Sequence, residues 1–306
     1  MEFYNWKDYR CAFEQTSGDR KVALLLIHPI GVGLSGEYWR PFVQQWQASS
    51  EVSNPIYNLD LLGCGQSDMP QQALTPQDWA EQVAYFIEAI ATQPVVLVVQ
   101  GALLPVAVEL MTMPLAAKKV VGLVLSGPPA WRLMTTPTEP WKQALAWKFF
   151  TSPLGNLFYR YARREKFLRS FSERQLFERP KDVDERWLAM LDEGAKNMDS
   201  RYAVFSFLAG FWRQDYAAKI AQIQQPVLIV MGENASTIDR KTAKQVAQQV
   251  ESSSTIEQAS RKRLQDYLDH FPRAQGMSIS GRNVMPYEST DEFVSAIAPF
   301  ITDLPQ

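Results

Sequence analysis

With 306 residues, 46% of them hydrophobic and 21% charged, the chain has the composition of a globular protein long enough for a sizeable core. That composition excludes disorder, collagen-like sequence and coiled coil, and 31 Lys/Arg against 33 Asp/Glu give no whole-chain electrostatic reason to bind nucleic acid. Two cysteines (Cys11, Cys64) and two histidines (His28, His270) are too few for a disulfide framework, a cysteine zinc site or a histidine-rich metal centre, so no metal or cofactor is expected.

The opening MEFYNWKDYR carries charges throughout and lacks the apolar core of a signal peptide. Residues 3–13 suit one or two antiparallel edge strands. Short apolar runs then follow at 22–27, 55–59, 95–99, 120–126 and 227–231, with a weaker one at 276–281. They are rich in Val, Ile and Leu and closed by Gly or Pro, which predicts strands buried on both faces. Between them lie helical patterns. Residues 76–91 place Trp79, Val83, Phe86, Ile87 and Ile90 at a 3–4 spacing, and 290–301 repeat it with Phe293, Ile297, Phe300 and Ile301. The longest uncharged stretch, between Glu88 and Glu109, is broken by Gln93, Pro94, Gln100, Gly101 and Pro105 and reads as a buried strand and turn. A cytoplasmic protein without an integral membrane span is therefore expected. Strand–helix alternation predicts an α/β fold with a mostly parallel sheet covered on both faces.

Residues 131–200 break this rhythm, with aromatics and helix formers in place of a buried strand. From 142 to 181 ten Lys/Arg face three Glu, and residues 160, 163 and 164, then 167, 168 and 171, step at helical spacing. A helical insertion is predicted, with Arg160, Arg163, Arg164, Lys166 and Arg169 beside the apolar Phe167, Leu168 and Phe171. It reads either as a solvated helix or as a face for an anionic partner, a lipid surface or a protein. Residues 251–255 read as a loop, and His270 as a cation at a helix C-terminus before Pro272.

Three motifs in this order resemble the α/β-hydrolase fold superfamily. His28-Pro-Ile-Gly-Val-Gly33 after a strand resembles its His-Gly oxyanion loop. Asp60-Leu-Leu-Gly-Cys-Gly-Gln-Ser-Asp-Met-Pro70 resembles its Asp-x-x-Gly-x-Gly-x-Ser-x-x-Pro loop, and Pro226-Val-Leu-Ile-Val-Met-Gly-Glu233 the strand that delivers the acid. The resemblance implies an α/β-hydrolase core at 1–130 and 201–306 with a helical cap at 131–200. The segments HPIGVGLS and GPPAWRLM are similar to a group of these proteins from cyanobacteria and chloroplasts with substituted triad positions. Gly31, Gly33 and Gly36 match a G-x-G-x-x-G spacing, but the loop order fits the hydrolase pattern better.

The family's Ser-His-Asp chemistry needs a serine on a G-x-S-x-G elbow, a histidine base and a carboxylate that orients it. Here the elbow reads Val99-Gln100-Gly101-Ala102-Leu103, so Gly101 stands at the nucleophile. The acid segment reads Gly232-Glu233-Asn234-Ala235, which puts Ala235 at the carboxylate, with Asp239 or Glu233 as substitutes. The histidine position falls on Asn283 or, counted from Gly281, on Arg282. Neither is a base at neutral pH. Two functional expectations follow. In the first, the fold binds a small hydrophobic ligand or a protein through a pocket lined by His28, Gly31, Gln100, Gly101, Ala102, Ser126, Trp131, Glu233, Arg282 and Asn283, or assembles or meets a membrane surface through the basic cap. In the second, Ser126 or Cys64 attacks with His28 as base, giving a hydrolase or lyase. Arg282 and Glu233 are expected to approach each other where acid and histidine would meet. His28 and Asp60 otherwise order their loops, as the resemblance implies.

Overall fold

The computed structural model describes residues 1–49, 54–236 and 253–305. They form an eight-stranded sheet in the order β1-β2-β4-β3-β5-β6-β7-β8: β1 (Glu2–Trp6), β2 (Tyr9–Thr16), β3 (Ala23–Ile27), β4 (Ile56–Leu59), β5 (Val95–Gln100), β6 (Val120–Ser126), β7 (Val227–Gly232) and β8 (Ala274–Ile279). β1–β2 and β2–β4 pair antiparallel, and the other pairs are parallel. Each run that was apolar end to end is a strand, because alternate side chains feed two cores. Leu25, Leu97, Leu123 and Ile229 enter the core on one face, whereas Leu24, Val96, Val124 and Leu228 enter the other.

On the first face lie α2 (Pro76–Ala89) and α3 (Leu104–Leu110), after α1 (Arg40–Ala48) has packed on the second. α2 starts with a capping box: Asp78 N–H donates to Thr75 Oγ1 at 3.3 Å and Thr75 N–H to Asp78 Oδ2 at 2.8 Å. Its Phe86 sits in a ring cluster, 5.0 Å from Phe13 and 5.3 Å from both Tyr4 and Tyr57. After α4 (Pro114–Lys119) and β6, the chain runs through α5 (Trp131–Thr135), α6 (Pro140–Phe150), α7 (Pro153–Ala162), α8 (Glu165–Phe171), α9 (Glu185–Gly194), α10 (Arg201–Leu208) and α11 (Ala217–Ile220) before re-entering the sheet at β7. α5 packs into the main core through Leu133 and Met134.

Two expectations change. The basic stripe is not one helix face: Arg160 lies on α7, Arg163 and Arg164 in the junction, and Lys166 and Arg169 on α8. The loop expected at 251–255 falls partly outside the described residues, and from Ser253 the chain is helical, as α12 (Ser253–Leu268). Its polar composition hides the helix, which buries Tyr267 beneath α5: Trp131 crosses the Tyr267 ring at 5.4 Å and stacks on His270 at 4.0 Å. His270 lies past the end of α12, its Nδ1 2.5 Å from Asp266 O. α13 (Met285–Glu288) and α14 (Thr290–Asp303) close the chain, with Phe293, Ile297, Phe300 and Ile301 buried as the period predicted.

Candidate functional site

β5 ends at Gln100, the backbone turns at Gly101, and a 3₁₀ turn leads into α3 with Pro105 in its first turn. Gly101 has φ +58°, the left-handed region that glycine enters without penalty. A Cβ placed there meets no atom within 4 Å, whereas one on Gly33 lands 1.9 Å from Leu191 O and one on Gly65 2.1 Å from Asp60 Oδ2. The strand-to-helix turn at Gly101 is thus left-handed, with open space beside its α-carbon. Val99 and Leu103, at the positions of the flanking glycines, are buried in the core.

Asn283, on the turn between β8 and α13, holds the neighbouring pieces together. Its carbonyl accepts from Gln100 Nε2 at 2.7 Å, which ties it to the elbow strand. Its Nδ2 donates to Gln175 O at 2.7 Å and to Ser236 Oγ at 3.2 Å, its Oδ1 accepts from Ser236 N–H at 3.3 Å, and its own N–H donates to Leu176 O. Ala235 is buried next to Ser236. At this corner a neutral amide meets a hydroxyl, and neither group titrates near neutrality. Asp239, the substitute acid, lies outside the described residues.

The expected approach of Arg282 to Glu233 does not occur. Arg282 N–H donates to Glu288 Oε1 and its Nη1 to Arg174 O at 2.9 Å, while Glu233 is exposed; among the described residues no ion pair joins the two. The carboxylate that organises this corner is Glu178, which no sequence signal singled out. It accepts from Asn234 Nδ2 at 2.8 Å and from Gly281 N–H at 3.0 Å.

His28 is fully buried, and both ring nitrogens are engaged by main chain: Leu61 N–H donates to Nε2 at 3.0 Å, and Nδ1 lies 2.9 Å from Pro29 O. This fixes the Nδ1–H tautomer, and burial lowers the ring's pKa to about 4. The reading of His28 as a base is corrected on this geometry, since neither nitrogen is left for a nucleophile. Asp60 likewise orders its loop, accepting from Gly36 N–H and Gln66 N–H at 2.7 Å each; burial nevertheless raises its pKa. Cys64 is buried in the same loop, and burial pushes its thiol well above the ordinary range, the reverse of what an attacking thiolate needs.

Ser126 ends β6 beside Gln100 in register and is fully buried. Ser126 Oγ and Gln100 Oε1 are buried polar atoms without a protein partner. Trp131, expected at the pocket, is turned onto α12. Gly31 and Ala102 are half-buried, Gly31 against Leu34 and Ala102 against the core. Two clefts, of about 660 and 500 Å³, lie elsewhere. One runs along the Asp60–Met69 loop to α9, the other along Glu178, Glu233 and Glu288; of the expected lining residues only Glu233 borders either. Among the described residues no cluster of His, Cys, Asp or Glu is arranged to hold a metal, and no helix is long and apolar enough to cross a membrane.

An elbow after the third parallel strand of the sheet, a glycine loop after β3 and the Asp60 loop after β4 place the chain in one class, and residues 24–296 match the model of the alpha/beta hydrolase family. The chain belongs to that family. Similar solved structures include an esterase from Exiguobacterium antarcticum (TM-score 0.71, 12% identity, covering 98% of this chain and 99% of that one). They also include a bromoperoxidase from Bacillus anthracis (0.68, 16%, 96% and 96%) and an enol-lactonase from Burkholderia xenovorans LB400 (0.67, 13%, 99% and 100%). At these identities the likeness shows the fold alone. Among curated proteins, none matches the sequence significantly.

Proposed function

We propose that this chain uses the α/β-hydrolase fold without Ser-His-Asp catalysis, as a small-molecule-binding, regulatory or assembly protein. In this reading residues 1–130 and 201–306 are the core and 131–200 a cap held down on the former catalytic corner. The observation that carries it is Asn283: an amide at the histidine position, bonded at once to the elbow strand, to Ser236 and to the main chain at 175 and 176. An acyl-transfer site needs a nucleophile within hydrogen-bond reach of a base. Gly101 offers no nucleophile, and His28 spends both nitrogens on the backbone. The buried, unpartnered Ser126 Oγ and Gln100 Oε1, on neighbouring strand ends, support a binding role, since they can take hydrogen bonds from a small ligand.

The test is labelling with a fluorophosphonate probe together with turnover of a panel of p-nitrophenyl esters. Wild type is expected to be silent in both. Gly101→Ser is expected to fold at a backbone cost of about 1–2 kcal/mol, because its side chain enters open space, and to stay silent, because no base is in reach. Covalent labelling of wild type that disappears in Ser126→Ala or Cys64→Ala overturns the proposal, as does labelling of Gly101→Ser.

A further inference from the structure

The α6–α7 hairpin has two apolar faces, and only one is covered. Its inner face packs on α10 and the turn that follows it. Trp147 contacts the rings of Tyr202 and Phe211, Phe150 stacks on Phe205 at 5.0 Å, and Tyr159 abuts Phe205 while its hydroxyl bonds Ser200 Oγ at 2.7 Å. The outer face carries Trp141, Leu145 and Phe149 at a spacing of four on α6, and Leu154, Leu157 and Tyr161 on α7. These side chains are 49–65% exposed, and α6 buries none of its residues. A helix apolar all round is ordinarily buried, and exposed apolar side chains grouped on two neighbouring helices mark an interaction surface.

Charge identifies what covers it. Residues 140–164 hold five Lys/Arg and no Asp/Glu, in a chain whose anions outnumber its cations; among the described residues Lys142 alone of the five is ion-paired, with Glu139 just before the stretch at 3.0 Å. The cations sit beside the exposed rings: Lys142 Nζ is 5.2 Å from the Trp141 ring centre and the Arg164 guanidinium 5.9 Å from that of Tyr161, with Arg160 exposed on the same helix. A second copy of the chain would bring two such cationic faces together, which opposes a symmetric dimer through this patch. Tryptophan, tyrosine and leucine framed by lysine and arginine match the boundary between headgroups and acyl chains instead, where the rings sit at headgroup level and the long basic side chains reach the phosphates.

We propose that the outer face of the α6–α7 hairpin docks this protein onto the surface of an anionic lipid bilayer. The rings and leucines insert into the boundary region, and Lys148, Arg160 and Arg164 engage lipid phosphates. The two signals act together, so neither apolar contact nor charge alone suffices for stable binding.

Co-sedimentation of the full chain with vesicles tests this, using phosphatidylcholine alone and an equimolar mixture with phosphatidylglycerol. Binding is expected to the mixed vesicles only, and to weaken as salt rises from about 0.05 to 0.5 M. The exposed sites tolerate substitution, so Leu145→Glu/Leu157→Glu should keep the native circular dichroism and melting temperature while losing binding by about tenfold or more. Arg160→Glu/Arg164→Glu should lose about tenfold or more and flatten the salt dependence. No binding to mixed vesicles, equal binding to both kinds, or binding unchanged in the leucine variant overturns the proposal. A dimer seen by light scattering that Leu157→Glu dissociates, without vesicle binding in wild type, also overturns it and gives the patch to a second copy.

Discussion

Asn283 and His28 are polar side chains whose partners are mostly backbone, and that decides what they can do. His28 is neutral in the fold because a protonated ring would lose the Leu61 N–H bond at Nε2 and sit charged in the core. Its folded pKa of about 4 lies below the ordinary value of 6.5, so between these values the unfolded chain binds the extra proton. The stability His28 contributes is therefore complete above about pH 6.5 and is lost as pH falls toward about 4, on the order of 3 kcal/mol. His28→Gln should cost roughly 1–3 kcal/mol near neutral pH by disturbing two buried bonds. The gap between wild type and variant in urea unfolding should narrow as pH drops. A gap that stays constant or widens from pH 7.5 to 5 would mean that His28 is protonated in the native state. Counting motifs put Asn283 or Arg282 at the histidine position, but the bonds of Asn283 to Gln175, Leu176 and Ser236 join residues up to 108 positions apart, which counting does not reach.

At the scale of elements, periodicity carried the reading wherever one face was strongly apolar. α2 was expected at 76–91 and runs Pro76–Ala89; β8 was expected from 276 and begins at Ala274. It failed where the pattern was weak. α12 is rich in Ser, Gln, Lys and Arg, so its start read as a loop, and the basic stripe read as one helix although the chain turns at Arg163 and Arg164. α2 also supplies a quantitative check. Thr75→Ala removes the capping-box acceptor and should cost about 1 kcal/mol, while Phe86→Ala empties the centre of a four-ring cluster and should cost about 3–5 kcal/mol. Thermal unfolding of the two variants measures the ratio. Equal losses would show that the ring cluster repacks around the missing side chain.

Across the whole molecule, the segment that follows α8 is bound to the sheet's carboxyl edge by backbone and by one carboxylate. Glu178 takes Asn234 Nδ2 and Gly281 N–H, and its own N–H donates to Glu288 Oε2 at 2.9 Å, a carboxylate whose pKa burial raises. Glu178→Ala leaves two donors unpaired and should cost about 2–4 kcal/mol. It should also speed trypsin cleavage at Arg174 and Lys181 in limited proteolysis. An unchanged cleavage rate would show that Leu176 and Gln175 hold the segment without it.

The order of apolar runs and loop motifs, by itself, determined a parallel α/β sheet and the family resemblance, because strand burial and loop chemistry are written in neighbouring residues. Only the tertiary structure decided that His28 is spent on the backbone, that Arg282 and Glu233 stay apart, that Asn283 pairs with Ser236 and that one face of α6–α7 is left uncovered. Each of these depends on which distant segment lies opposite a side chain, and packing, not local sequence, sets that.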